Sequence, residues 1–166
     1  MARVFTVSGS IVIRTDPRTA YEQVSDPGRM GRWSPENRGA TLAPAWRDGA
    51  RAGLTFAGHN KRGALRWTTQ CLVTAADPGE RFAFRVRAFG PERLALRAPI
   101  ATWEYRFEAV DGGTRVTETW TDDRRAWPAP LANVFDRVAT RGRVFADFQQ
   151  HNIRRTLANL KQTLEA

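Results

Sequence analysis

The segment Gly113-Thr114-Arg115-Val116-Thr117-Glu118-Thr119-Trp120 places one carboxylate among alternating apolar side chains. On a strand, successive side chains point to opposite faces, so Val116, Glu118 and Trp120 share one face. If Val116 and Trp120 point inward, Glu118 does too, and a carboxylate there needs a partner or a raised pKa. Its chemistry would be that of a general base, or of an acceptor for a ligand hydroxyl. The competing readings are an ion pair with an arginine such as Arg66, or a register that turns Glu118 outward. Tyr105, Asn60 and Arg66 are the groups that could polarise a carbonyl beside it.

Other reactive types are poorly supported. His59 and His151 have no ligand-spaced partner, so no metal site is expected. Ser34 and Cys71 come without a histidine arrangement, and no glycine-rich phosphate loop is present, so no cofactor is expected. Cys71 shares a strand face with Trp67 and Val73 and reads as a small buried hydrophobe.

The elements that must position Glu118 follow from periodicity. Arg3 to Arg14 alternates as a first strand. Asp16-Pro17 and Asp26-Pro27 each supply an N-cap followed by proline at the first helical position, predicting two short helices, Pro17 to Ser25 and one carrying Met30 and Trp33. Strands are then predicted at Ala40–Trp46, Arg51–Ala57, Leu65–Ala75, Arg81–Arg87, Thr102–Val110 and Thr114–Thr121. The connections are short, with turns at Arg47-Asp48-Gly49, His59 to Gly63, Asp77-Pro78-Gly79 and Asp111-Gly112-Gly113. Such links suit antiparallel hairpins and exclude parallel crossovers. Phe89 to Ile100 is longer and reads as a mobile loop or a ragged strand end. Ala129 to Glu165 is a single amphipathic helix by its apolar stripe, with Gly142 as a kink or thin point.

At 166 residues the chain fits one domain spanning residues 1–166. The 26 basic residues against 17 acidic ones give a net charge of +9, which raises nucleic acid or an anionic surface as partners. The arginines are scattered, however, and no zinc-finger, KH or RNP signature accompanies them, so nucleic acid is not expected. No run approaches a membrane span. The N-terminus alternates instead of forming a signal-peptide core, and with one cysteine a cytoplasmic location is the simplest expectation.

The order of one strand, two short helices, six antiparallel strands and a long helix resembles the SRPBCC superfamily of START and birch-pollen-type domains, with the actinobacterial polyketide cyclase/dehydrase branch most similar. Four segments carry the resemblance: Trp33-Ser34-Pro35-Glu36, Gly58-His59-Asn60-Lys61-Arg62-Gly63, Gly113 to Trp120, and Thr156-Leu157-Ala158-Asn159-Leu160-Lys161. It implies an α+β helix-grip fold, in which a curved antiparallel seven-stranded sheet wraps a long C-terminal helix packed on its concave face. It also implies a cavity for a small hydrophobic molecule. Such a sheet curled over one helix leaves unfilled volume, particularly beside Gly142.

The expected lining combines Phe56, Trp67, Phe84, Trp103, Tyr105 and Trp120 from strands with Phe145 from the helix. Trp33, on the second short helix, is counted with the lining; Glu36 would lie near the cavity mouth, and Asn60 in a hairpin, where asparagine also serves simply as a turn residue. The leading functional expectation is a carrier or binding protein. The alternatives are a cyclase/aromatase-like enzyme with Glu118 as general base, and an interaction or regulatory module. Oligomeric state is left open.

Overall fold

Two aspartates set the start of the chain's first turn-helix unit. Asp16 accepts a hydrogen bond from the Thr19 amide at 2.9 Å, and Asp26 accepts one from the Gly28 amide at 2.9 Å. Each cap is followed by a proline whose missing N–H would have been unpaired in any case. In the computed structural model, which describes residues 3–91 and 96–166, these caps open helix α1 (Pro17–Val24) and a short 3-10 helix, Pro27–Arg32.

Strand β1 (Thr6–Ile13) precedes them. The rest of the sheet follows as β2 (Asn37–Leu42), β3 (Thr55–Arg62), β4 (Leu65–Asp77), β5 (Arg81–Gly90), β6 (Leu96–Val110) and β7 (Gly113–Asp122). All seven strands pair antiparallel in the order β1-β7-β6-β5-β4-β3-β2. Helices α2 (Ala129–Thr140) and α3 (Phe145–Glu165) close the chain. The architecture is the expected α+β helix grip.

Helix α3 lies against the β1 end of the sheet, and glycine makes the approach possible. A Cβ at Gly9 would come 2.8 Å from Ile153 Cγ2, closer than real Cβ contacts allow. Side chains on α3 also reach the backbone beside it. Gln150 Nε2 donates to the Ser8 carbonyl at 3.1 Å, Lys161 Nζ to that of Val12 at 2.7 Å, and Asn159 Nδ2 to that of Trp33 at 2.9 Å. The dry core sits in this half of the molecule, where Ile13, Val24, Phe82, Val116, Ile153 and Leu160 are fully buried and Tyr21 meets Phe107 edge-on.

Several expected boundaries move. The segment Ala40–Trp46 is strand only to Leu42; Pro44 then opens a 3-10 turn that folds Trp46 onto Phe56, with ring centroids 5.8 Å apart. The segment Arg51–Ala57 becomes strand only at Thr55, and β3 continues through His59 and Asn60 to Arg62. The hairpin therefore turns at Gly63, whose φ of 59° suits glycine. Strands β5 and β6 run into the Phe89–Ile100 stretch from both sides, and residues 92–95 lie outside those described. The single C-terminal helix is two. Arg141 (φ 54°) and Gly142 (φ 88°) both adopt left-handed backbone, which ends α2 before Val144 starts α3.

Because β1 and α3 touch through Gly9, Gly9→Val should destabilise the fold by about 1–3 kcal/mol through overpacking. Urea unfolding followed by tryptophan fluorescence measures this, and an unchanged midpoint would mean that α3 shifts freely on β1.

Candidate functional site

The concave face of the sheet is only partly covered by α3. Between the two lies a cavity of about 500 Å³. Strand pairing fixes its wall: Phe84 on β5 opposes Trp103 on β6, Trp103 opposes Trp120 on β7, and Tyr105 opposes Glu118. Alternation turns all five side chains to the same side, where they line the cavity with Phe56 of β3 and Trp67 of β4. The opposite wall comes from α2 and α3 through Phe135, Phe145 and Gln149, and Phe145 lies 5.3 Å from Trp120 between ring centroids.

Glu118 is the polar feature of this surface. It is 2 % exposed, and the Tyr105 hydroxyl donates to its Oε1 at 2.7 Å. The partner is therefore a phenol, and the ion pair with Arg66 is not formed. Its second oxygen, Oε2, is buried without a hydrogen-bond partner, as is Oε1 of Gln149. Burial pushes the Glu118 carboxyl up to about 8, with the Tyr105 hydrogen bond pulling only weakly the other way. Burial and the neighbouring Glu118 in turn push the Tyr105 phenol well above its usual value. At pH 7 the protonated form of Glu118 predominates, so it can act as a hydrogen-bond donor into the cavity. Base character emerges only above pH about 8. Cys71 is buried as the sequence suggests, and burial pushes its thiol up to about 12.

Two arginines that the sequence did not single out border the same cavity. Arg124, just past β7, is 1 % exposed and grips both oxygens of Asp122 at 2.9 and 3.0 Å. Its Nη1 donates to Asp136 of α2 at 2.6 Å, and its guanidinium stacks 4.9 Å from the Phe145 ring centroid. Burial alone would push the Asp122 carboxyl up, but the hydrogen bonds and charge of Arg124, with a bond from Arg3, hold it below its usual value. Arg62, at the end of β3, pairs with Glu36, donates to the Ala139 carbonyl near the end of α2, and lies 4.2 Å from the Phe148 ring centroid. Only the short Asp122–Arg124 spacing was a possible sequence signal; Arg62 carried none.

Of the expected lining, Glu36 and Asn60 also border the cavity. Asn60 does so from strand β3, where Nδ2 donates to the Gly58 carbonyl at 3.3 Å, instead of from a turn. Trp33 and Gly142 do not. Trp33 is 1 % exposed and packed in the core beneath α3. Gly142 sits on the exposed loop between α2 and α3, since the helix breaks where a continuous one would have passed over the cavity. Among the described residues no group of three His, Cys, Asp or Glu side chains is placed to hold a metal, and no helix is long and apolar enough to cross a membrane.

Residues 4–165 match the family model described as polyketide cyclase / dehydrase and lipid transport, and the chain belongs to that family. No curated protein matches. The solved structures show the same fold. A START superfamily protein from Mycobacterium smegmatis aligns with a TM-score of 0.68 at 11% identity, covering 98% of each chain. A Polyketide_cyc-like protein from Corynebacterium glutamicum aligns at 0.62 and 24% identity, covering 99% of this chain and 94% of its own. A protein from Chromobacterium violaceum aligns at 0.67 and 14% identity, covering 98% of this chain and 99% of its own.

The Glu118 environment sets a pH dependence. A carboxyl raised from its ordinary 4.5 to about 8 keeps its proton in the folded state after the unfolded state has lost it. Its contribution to stability is therefore complete below about 4.5 and lost as pH rises through about 8. Glu118→Gln should remove that loss, leaving the variant more stable than the wild type at pH 9 and little different at pH 4. Thermal melts across this range test it; parallel wild-type and variant curves would place Glu118 in water.

Proposed function

We propose that the protein is a cytoplasmic binding protein or carrier for one small, largely hydrophobic molecule with a polar oxygen at one end. The observation that carries this reading is the cavity of about 500 Å³ walled by Phe56, Phe84, Trp103, Trp120 and Phe145, in which Glu118 and Gln149 each keep a buried oxygen without a hydrogen-bond partner. That volume and character are usual for a small-molecule site. Apolar side chains of this size gain about 1.5–3 kcal/mol each on leaving water. Left facing an unfilled space they forgo the contacts that a flat or elongated ligand would supply. Glu118 Oε2 and Gln149 Oε1 are the groups that a ligand hydroxyl or carbonyl would satisfy, with Glu118 donating to a carbonyl at neutral pH. An aromatic polyketide, a lipid or an acyl chain each fits this description, and the family description includes both cyclase/dehydrase chemistry and lipid transport.

Native mass spectrometry of the protein from its own host, followed by extraction into organic solvent, should show an adduct of one small molecule per chain. Ala101→Phe, which places a ring into the cavity from β6, should abolish the adduct while the fold persists. An adduct that survives this substitution would put the ligand elsewhere.

One observation favours a second reading, an enzyme of the cyclase or dehydrase type. Glu118 and Tyr105 form a buried acid pair with a free carboxyl oxygen on an apolar cavity. In that reading the protonated Glu118 hydrogen-bonds a ketone oxygen and acidifies the neighbouring C–H, water takes the α-proton as the enol forms, and Tyr105 holds the carboxyl in position. Glu118→Gln should then abolish turnover of a bound poly-ketone at neutral pH while leaving its affinity within a fewfold of wild type. Unchanged turnover would remove Glu118 from the chemistry and leave the carrier reading alone.

A further inference from the structure

Among the described residues eight large apolar side chains are exposed, and six of them lie on elements that contribute to the cavity lining, or directly beside such an element: Leu65, Leu96, Leu131, Val134, Val138 and Val144. They come from four separate elements. Leu65 begins β4 beside the turn at Gly63, and a Cβ on Gly63 would lie 3.4 Å from Nη2 of Arg141 in the α2–α3 loop. Leu96 opposes Phe89 across β5 and β6, and the Phe89 ring stands 5.0 Å from Phe135 of α2. Leu131, Val134 and Val138 follow one another at helical spacing along α2, and Val144 lies just before α3. Leu65 and Val138 also line the cavity, so the apolar rim is continuous with the apolar interior.

The same rim is basic. Arg66, Arg97, Arg137, Arg141 and Arg143 are exposed on these elements. Arg66, Arg137, Arg141 and Arg143 have no carboxylate partner among the described residues. Two carboxylates on this side of the molecule are engaged by other arginines, Glu36 by Arg62 and Asp136 by Arg124, while Asp147 on the first turn of α3 is exposed. Apolar side chains exposed in such number normally mark a contact surface. A second copy of the chain is a poor occupant, because a two-fold contact would set these arginines against their own copies.

We infer that this face docks on the surface of an anionic lipid bilayer. Leucine and valine side chains on short, separate protrusions enter the headgroup–acyl boundary, and the surrounding arginines meet the lipid phosphates. With the cavity mouth inside the contact, an apolar ligand passes between protein and acyl chains without crossing water. The inference needs no particular ligand and stands apart from any chemistry at Glu118.

Co-sedimentation with vesicles tests it. The wild-type protein should pellet with vesicles of equal parts phosphatidylcholine and phosphatidylglycerol at low salt, and remain in solution with phosphatidylcholine alone. Leu131→Asp combined with Val134→Asp should reduce binding to the level of the neutral vesicles. Val144→Asp, at a helix N-cap position that accepts aspartate well, should weaken it independently, so that a folding defect in α2 cannot mimic the result. Arg137→Ser and Arg141→Asn should each lower partitioning about fivefold, as expected for one arginine near an anionic surface. No pelleting with anionic vesicles overturns the inference. So does equal loss from Arg47→Ser with Arg51→Ser, on the connection between β2 and β3, because general positive charge would then be responsible. A dimer in sedimentation velocity that Leu131→Asp with Val134→Asp dissociates would assign the face to a second copy instead.

Discussion

The whole arrangement depends on one geometric mismatch: a seven-stranded sheet curls around a helix that can cover only one end of it. Helix α3 is held on β1 by the missing side chain of Gly9 and by hydrogen bonds to strand carbonyls. Ridges of Ile153, Leu157 and Leu160 fill that half completely. The inner faces of β3 to β6 receive no comparable ridge. Their aromatic residues are held together largely by one another, as in the edge-on contacts of Trp46 with Phe56 and of Phe56 with Phe84 at 5.8 and 5.2 Å. A cavity is therefore the direct result of where the helix can sit.

Closing that cavity falls to α2, a short helix with an apolar outer face, and charge fastens it. Arg124 joins the end of β7 to Asp136 on α2 while holding Asp122, and Arg124 and Asp122 lie almost wholly out of water. Desolvating such charges is costly, and it is offset only because each guanidinium nitrogen has an acceptor and the ring faces of Phe135, Phe145 and Trp127 lie against the cation. Glu118 solves the same problem differently. Buried, with a phenol as its side-chain hydrogen-bond partner among the described residues, it has no counter-charge and keeps its proton at neutral pH. Burial thus leaves the Glu118 carboxyl protonated at neutral pH, while the Asp122 carboxyl behind Arg124 is held below its usual value.

Strand alternation made much of this legible. The inward face of Trp103 and Tyr105, and the shared face of Val116, Glu118 and Trp120, follow from period two, because one-sided burial permits only one register. The Asp-Pro pairs were equally clear, since cap and proline act within four residues. Features decided by distant contacts were not. Trp33 belongs to the core because α3 returns over it, and Gly142 leaves the cavity because two consecutive left-handed residues end the helix. An amphipathic stripe continues across such a break without any change in period. Arg62 and Arg124 were hidden among many scattered arginines, since only tertiary structure tells a latch from a solvated side chain.

Arg62 holds together parts that are remote in sequence: the Glu36 loop, the Ala139 carbonyl on α2, and the rings of Trp67 and Phe148. One guanidinium makes all of these contacts, so none of them has a separate side chain to replace it. A change at this one position therefore reaches the Glu36 loop, helix α2 and the edge of the sheet together.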